Sequence, residues 1–198
     1  MKKGKLIILS IIMFVFCLTG MASANLILNG DFETGDLSFW TSSGDVRAAE
    51  SIDFTDFQGM DGWFALLGFN WPDNDYSVLE QSFDVTGLDE ITISFNWAFD
   101  FYDINKYNDD TFLALYTPDN EVALAITLLD LQTSCLGINY GFFSNTYDIS
   151  GSTGTLRFSL NEVSALGIGS AAGIDNVSVT AAPVPEPATL LLLGSGLV

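Results

Sequence analysis

The chain has no histidine and only two cysteines among its 198 residues. Without histidine, Ser-His-Asp and Cys-His catalysis and histidine-ligated zinc sites are excluded. No Gly-x-Ser-x-Gly elbow, P-loop or dinucleotide-binding fingerprint is present either. The chemistry that remains for an enzyme is a pair of carboxylates. Because the chain has 25 acidic residues, such pairs arise by chance, and we expect a protein that is not an enzyme.

Basic residues are also scarce, with six Lys and Arg in the whole chain. Three of the six lie within the first five residues, which leaves Arg47, Lys106 and Arg157 for the rest. A strongly acidic surface repels nucleic acid and anionic lipid, which proteins bind through Lys and Arg. We therefore expect no nucleic-acid partner. Abundant carboxylate oxygen does suit hard cations such as Ca²⁺.

The first 24 residues have the order of a secretory signal. Three lysines precede an apolar run over residues 6–18, and Met21-Ala22-Ser23-Ala24 supplies a small-residue cleavage site. The alternative is an uncleaved membrane anchor, but a run of roughly 13 residues falls short of the ~20 that span a bilayer. The sequence thus predicts cleavage by signal peptidase after Ala24 and export by the Sec machinery through the inner membrane. Cys135 then remains alone, which indicates a buried thiol or, as the alternative, an intermolecular bridge.

Residues 25–182 read as short β-strands separated by Gly, Asn, Asp and Pro. The clearest alternation of apolar and polar residues covers 91–101, with period two. The strand over 122–129 also has helical propensity, but the turn at 118–120 favours a hairpin. The predicted fold is one all-β domain, an antiparallel β-sandwich or jelly roll, flanked by the signal helix and a short C-terminal apolar segment. The candidate strands are 26–28, 39–42, 46–50, 63–67, 77–85, 91–101, 111–116, 122–129, 142–148, 155–160 and 173–180.

Two motifs bracket this domain. It opens with Asn25-Leu-Ile-Leu-Asn-Gly-Asp-Phe-Glu-Thr-Gly, followed by Trp40, and it closes with Gly173-Ile-Asp-Asn-Val-Ser-Val. In this order the motifs resemble the first and last strands of β-jelly-roll carbohydrate-binding modules, although Phe39 replaces the glycine that precedes the tryptophan in that family. The intervening residues match only in pattern.

The same resemblance implies a structural Ca²⁺ ion that ties the two ends of the domain together. Carried over position by position, its carboxylate ligands are Glu33 and Asp175, with Asp31 as a weaker third. Backbone carbonyls would complete the roughly six to eight oxygen ligands of Ca²⁺. The alternative is that Glu33 and Asp175 cap backbone amides at a turn and a sheet edge.

A second acidic cluster lies between residues 100 and 110 and includes Asp100 and Asp110. It lacks the glycine and the terminal glutamate of an EF-hand loop. We expect a solvated loop that joins two strands.

Aromatic residues supply the candidates for sugar contact, because sugar C–H groups pack on aromatic faces. Trp40, Trp63 and Trp97 are expected in the core. Trp71, Tyr76 and Tyr102 lie in or beside polar segments and are the candidate ligand-binding residues.

Residues 183–198 contain Pro185-Glu186-Pro187 followed by an apolar run. This end resembles the PEP-CTERM sorting signal of Gram-negative bacteria, which an exosortase recognises. The run of roughly 11 residues is too short to span a bilayer as a helix, and no basic cluster follows. The sorting signal is therefore interpreted as truncated. We expect it to support at most a transient membrane anchoring.

These features favour an exported, non-enzymatic protein of the cell surface or extracellular matrix, with calcium as its cofactor and an association with exopolysaccharide and biofilm. The first alternative is a carbohydrate-binding module with a specific glycan ligand. The second, less favoured, is a glycosidase that uses a carboxylate pair.

Overall fold

The computed structural model describes residues 24–69, 76–101, 110–132, 137–162 and 170–181. Those from 25 onward belong to one compact unit, Asn25–Ala182; a second unit, Met1–Ala24 with Pro183–Val198, lies outside the description except for Ala24. The predicted signal peptide and the Pro185-Glu186-Pro187 motif are thus beyond the described residues. In the ranges given, we find no helix with the length and apolar character to cross a membrane.

In the described ranges, ten strands form two antiparallel sheets, which confirms the predicted β-sandwich. The first sheet has the order β1-β4-β9-β6-β7, and the second has the order β2-β3-β10-β5-β8. Two single-turn 3-10 helices, Ser51–Asp53 and Val122–Leu124, complete the regular structure of the described ranges. The strands are β1 Thr41–Ser43, β2 Val46–Glu50, β3 Trp63–Gly68, β4 Tyr76–Asp84, β5 Glu90–Phe101, β6 Thr111–Pro118, β7 Ile126–Gln132, β8 Gly137–Asp148, β9 Thr153–Asn161 and β10 Ala171–Ala181.

The main core lies between the two sheets. The alternation along β5 buries Ile91, Ile93, Phe95 and Phe99 completely, as its period predicts. Across the core, Phe158 of β9 meets Phe95 edge-on at a centroid distance of 5.0 Å. Trp40 is also buried, and its indole N–H donates to the carbonyl of Asn29 at 3.0 Å, while Trp63 and Trp97 are half-buried against the core.

A smaller apolar cluster lies on the outer face of the second sheet. The connection over residues 51–62, which we call the cover segment, places Phe57 and Met60 against Phe64 and Leu66 of β3. Gly173 of β10 permits this contact, because a Cβ there would lie only 2.8 Å from the Phe57 ring. The cover segment thus shields the β3–β10 part of this face.

The predicted strand over 26–28 is wrong, because side chains take up the hydrogen bonds of this segment. The carboxamide oxygen of Asn25 accepts from the amides of Ile27 and Val179, and Gln81 accepts from the amide of Leu28. Backbone pairing of this segment with β10 is limited to the isolated bridge of Asn25 with Thr180, at which the amide of Leu26 donates to the carbonyl of Val179.

Other strand boundaries also differ from their predictions; the strand predicted over 142–148, for example, begins at Gly137. The strand predicted over 39–42 begins at Thr41, because Phe39 has a φ of +73°, which lies outside the extended region of a regular strand. The strand predicted over 122–129 begins at Ile126, after the 3-10 turn, although the predicted hairpin between β6 and β7 is present.

Candidate functional site

The first residues of the domain run beside its last strand. The amide of Leu26 donates to the carbonyl of Val179 at 2.7 Å, and the amide of Val177 donates to the carbonyl of Gly30 at 2.7 Å. Gly30 fits against β10 because it has no Cβ, which would clash with the Val177 carbonyl. These bonds bring the two sequence motifs together at one place in the fold.

Four acidic side chains meet where the motifs join. Asp31, Glu33, Asp61 and Asp175 line an open cavity of about 340 Å³, together with Gly62 and Asn176. We call these four residues the acidic junction. Asp61 was missed by the sequence analysis, since it belongs to neither motif and reaches the junction through the cover segment.

Asp175 is the buried member of the acidic junction, with 1% of its surface exposed. Its Oδ2 accepts from the amide of Asp61 at 3.0 Å, and its Oδ1 accepts from the amide of Asn176 at 2.6 Å. Burial raises the pKa of Asp175 to about 6, because the charged form loses its hydration. The hydrogen bonds from the two backbone amides lower this pKa, and the negative charges of Glu33 and Asp31 raise it.

Glu33 holds the other side of the junction. Its Oε1 accepts from the amide of Trp63 at 2.9 Å. Gly62, at a φ of +56°, leaves room for this carboxylate, which a Cβ at that position would clash with. The carboxylates of Glu33 and Asp175 therefore cap the amides of residues 63 and 61, as the alternative interpretation expects, although Asp175 lies in the central strand β10 and not at a sheet edge.

The donor chemistry of the junction suits a hard cation, but its arrangement supplies few side-chain ligands. Within the described ranges, no group of three or more Asp, Glu, Cys or His residues is placed to hold a metal ion. The two described arginines are engaged elsewhere, Arg47 with Asp45 at 3.7 Å and Arg157 with Glu80 at 2.6 Å. A Ca²⁺ ion here would take carboxylate oxygen from Glu33 and Asp175 and backbone carbonyls for most other ligands.

A second feature lies on the outer face of the same sheet, beyond the cover segment. Tyr140 and Phe142 of β8 are 49% and 66% exposed and point to the same side of the sheet. In register they lie opposite Ala98 and Asn96 of β5. The side-chain Nδ2 of Asn96 donates to the carbonyl of Gly59 at 2.8 Å, so the cover segment borders this surface.

Hydroxyl groups continue the same surface along both strands. Ser94 lies opposite Ser144, and the hydroxyls of Thr92 and Thr146 are 2.9 Å apart. We call the set of Tyr140, Phe142, Asn96, Ser94 and Ser144 the aromatic platform. It contains two exposed rings, hydrogen-bonding side chains and no charged group.

The residues nominated from the sequence for sugar contact are elsewhere. Tyr76 begins β4 in the other sheet and is 52% exposed. Trp71 and Tyr102 lie outside the described residues. Tyr140 was missed because this strand was predicted to begin at residue 142. The available signal was that, with period two, Tyr140 and Phe142 share one side of the strand and Gly141 and Phe143 share the other.

The interpretation of the second acidic cluster as a solvated loop is wrong for Asp110. This residue is 1% exposed, and its Oδ2 accepts from the Ser170 hydroxyl at 2.6 Å. Asp100, half-buried at the end of β5, has its pKa raised by burial and by the charge of Asp56. The rest of the cluster, 103–109, is not among the described residues.

Comparison with known proteins places the fold among carbohydrate-binding modules. No family model and no curated protein matches the chain. The solved structure of TmCBM61 in complex with β-1,4-galactotriose is similar over 81% of this chain and 100% of its own, with 16% identity and a TM-score of 0.56. The family 16 carbohydrate-binding module-2 is similar over 78% of this chain and 99% of its own, with 14% identity and a TM-score of 0.50.

One structural neighbour is an enzyme domain. The enzymatically active domain of bacteriophage CBA120 tailspike protein 4 matches 80% of this chain with 16% identity and a TM-score of 0.56, but the match spans only 21% of the tailspike chain. At these identities the likeness is one of fold. The chain therefore shares the β-jelly-roll fold of carbohydrate-binding modules.

Proposed function

We propose that the domain is a glycan-binding module and that the aromatic platform is its sugar contact. The observation that carries this proposal is the exposed pair Tyr140 and Phe142 beside hydrogen-bonding side chains. Exposed rings on a sheet offer flat apolar faces to sugar C–H groups, while neighbouring polar groups bond the hydroxyls. The structural likeness to carbohydrate-binding modules supports the same function.

Charge favours a neutral glycan as the ligand. The platform has no charged side chain, and the chain around it carries 25 acidic residues against six basic ones. The negative charge of the protein would repel an acidic polysaccharide, whereas it neither attracts nor repels an uncharged one. The carboxamide of Asn96, held at its nitrogen by Gly59, presents its oxygen as an acceptor for a sugar hydroxyl.

Affinity electrophoresis in gels loaded with neutral polysaccharides tests the proposal. We expect retardation of the wild-type protein on at least one of them and its loss in Tyr140→Ala/Phe142→Ala. The matched control is Val122→Ala/Leu124→Ala, which removes two apolar side chains that are 82% and 55% exposed in the connection between β6 and β7 of the other sheet. A wild-type protein that is retarded on no polysaccharide, or a platform variant that is retarded as before, would contradict this site.

We further propose that the module works outside the cell, in an extracellular matrix rich in polysaccharide. The support is in the sequence: a signal with its cleavage site at Ala24 and the motif Pro185-Glu186-Pro187. Signal peptidase, the Sec machinery and an exosortase are the implied partners in a Gram-negative bacterium. Fractionation and mass spectrometry of the mature N-terminus test this: a product that begins at Met1 and stays in the cytoplasm would contradict it.

Calcium is the third part of the proposal. Glu33 and Asp175 would supply the carboxylate oxygens, with Asp31 at the rim of the same cavity. In support, three further carboxylates line the cavity with the buried Asp175, and a divalent cation offsets their repulsion. The ion would stabilise the joined chain ends; its test is given among the predictions below.

A further inference from the structure

Sheet edges need protection against pairing with other chains, and three of the four edges formed by the described strands have it. β1 is only three residues long, and β2 is five residues long with Arg47 and Glu50. β7 carries Asp130, and its register with β6 is shifted at Ala114. Short length, charge and irregular pairing are the devices by which natural sheets prevent edge-to-edge association.

β8 has none of these devices. It is twelve residues long, contains no proline, and its only charged residue is Asp148 at its very end. All twelve residues pair with β5 in an unbroken register. Among the described strands, none pairs with the other side of β8.

The inner side chains of β8 are also incompletely covered. Phe143 stacks on Phe95 with ring centroids 4.8 Å apart, yet both Phe143 and Tyr147 stay half-buried. No residue of β8 is buried in the described structure. A further strand at this edge would cover the exposed sides of these rings.

We propose that β8 is an interface between two copies of this chain, which pair edge to edge and antiparallel. The charge pattern selects a second copy over other partners. In a chain with 25 acidic residues, residues 137–147 are free of charge, so this strip is where two such chains approach without repulsion. In an antiparallel pair the two Asp148 residues lie at opposite ends, ~35–40 Å apart at 3.4 Å per residue.

Symmetry closes this interaction. A two-fold axis perpendicular to the sheet pairs β8 with itself, satisfies both edges at once and leaves no new edge at β8. About ten backbone hydrogen bonds would form, the number that a typical protein interface contains. A register centred on Phe142 places the two Phe142 rings side by side and Tyr140 beside Ser144 of the second copy, so the two aromatic platforms become one continuous surface.

Sedimentation velocity of the purified protein tests this, with a reductant present so that Cys135 forms no intermolecular bridge. We expect a concentration-dependent monomer–dimer equilibrium for the wild-type protein. Tyr140→Glu/Ser144→Glu places two charges on each side of the two-fold and should give a monomer. Val122→Glu/Leu124→Glu adds the same charge at exposed positions away from β8 and should leave the dimer intact, with circular dichroism confirming that both variants are folded.

Hydrogen exchange supplies a measurement that does not depend on a variant. Amides of 137–148 should exchange more slowly as protein concentration rises, and those of β7 should not change. A wild-type monomer at every concentration, a dimer that persists in Tyr140→Glu/Ser144→Glu, or protection that rises at β7 instead would each overturn the proposal. The result is separable from sugar binding, because a monomer that is retarded by a glycan refutes the dimer alone, and a dimer that is not retarded refutes the glycan site alone.

Discussion

The buried carboxyl of Asp175 gives a prediction of defined sign. Its pKa is raised to about 6 in the folded protein from the ordinary value of 3.8. Since the folded state favours the protonated form, this contribution to stability is fully present below pH ~4 and is lost as the pH rises through ~6. A shift of about two pKa units at 1.36 kcal/mol per unit makes the loss about 3 kcal/mol.

The variant Asp175→Asn isolates this effect, because its side chain has no charge at any pH. The carboxamide oxygen of the variant accepts only one of the two hydrogen bonds that the Asp175 carboxylate accepts from backbone amides. One hydrogen bond, worth about 1 kcal/mol, is therefore lost. In chelator, we expect the free energy of unfolding of the variant minus that of the wild type to rise by about 3 kcal/mol between pH ~4 and ~7. Urea denaturation followed by circular dichroism at a series of pH values measures this difference.

Asp119 provides a control of opposite sign. Hydrogen bonds from the amides of Ser152 and Thr153 lower the pKa of Asp119. Its contribution to stability is therefore present above the unfolded pKa and is lost as the pH falls, so Asp119→Asn should lose stability relative to wild type as the pH rises. Parallel stability curves for Asp175→Asn and wild type would refute the assignment of a penalised, buried carboxylate at this position.

Two further predictions concern the acidic junction. In calorimetry at neutral pH, Ca²⁺ added after chelation should raise the Tm of the wild type but not that of Glu33→Gln. The control Tyr76→Ala should respond to Ca²⁺ as the wild type does. Equal Tm values for the wild type with and without Ca²⁺ would refute the calcium proposal. Gly62→Ala should lower the free energy of unfolding by about 2 kcal/mol or more, because it adds a clash with the Glu33 carboxylate to the strain of a positive φ. Gly87→Ala is the matched control, because its φ is +77° and no described atom lies within 4 Å of the added Cβ. Only the backbone strain of about 1 kcal/mol applies there. An equal loss of unfolding free energy in the two variants would contradict the clash at Gly62.

Period-two alternation predicted the sheets because burial on one face leaves a direct record in the sequence. The run over 91–101 is correct for this reason, and the same holds for 155–160 in β9. The segment over 26–28 has the same apolar character, yet the side chains of Asn25 and Gln81 take the amides of Ile27 and Leu28, while the amide of Leu26 bonds to the backbone of β10. Local composition does not distinguish a backbone partner from a side-chain partner, so the prediction failed there.

The two motifs located Glu33 and Asp175, but Asp61 and the aromatic platform came only from the structure. Asp61 lies 114 residues from Asp175 in sequence and reaches it through its backbone amide, a group that every residue has. Tyr140 and Phe142 are exposed because β8 is an edge, and no local pattern tells an edge strand from a central one. Edge position depends on strand order, which is a property of long-range pairing.

The cover segment connects the two features that the sequence presented separately. At its end, the amides of Asp61 and Trp63 are held by Asp175 and Glu33. In its middle, Phe57 packs on β3, and the carbonyl of Gly59 fixes the side chain of Asn96 in the aromatic platform. The carboxylates of Glu33 and Asp175 therefore hold the segment that borders the platform. The structural role proposed for the motifs and the binding role proposed for the sheet therefore depend on one segment, because the cover segment is held by Glu33 and Asp175 and borders the aromatic platform.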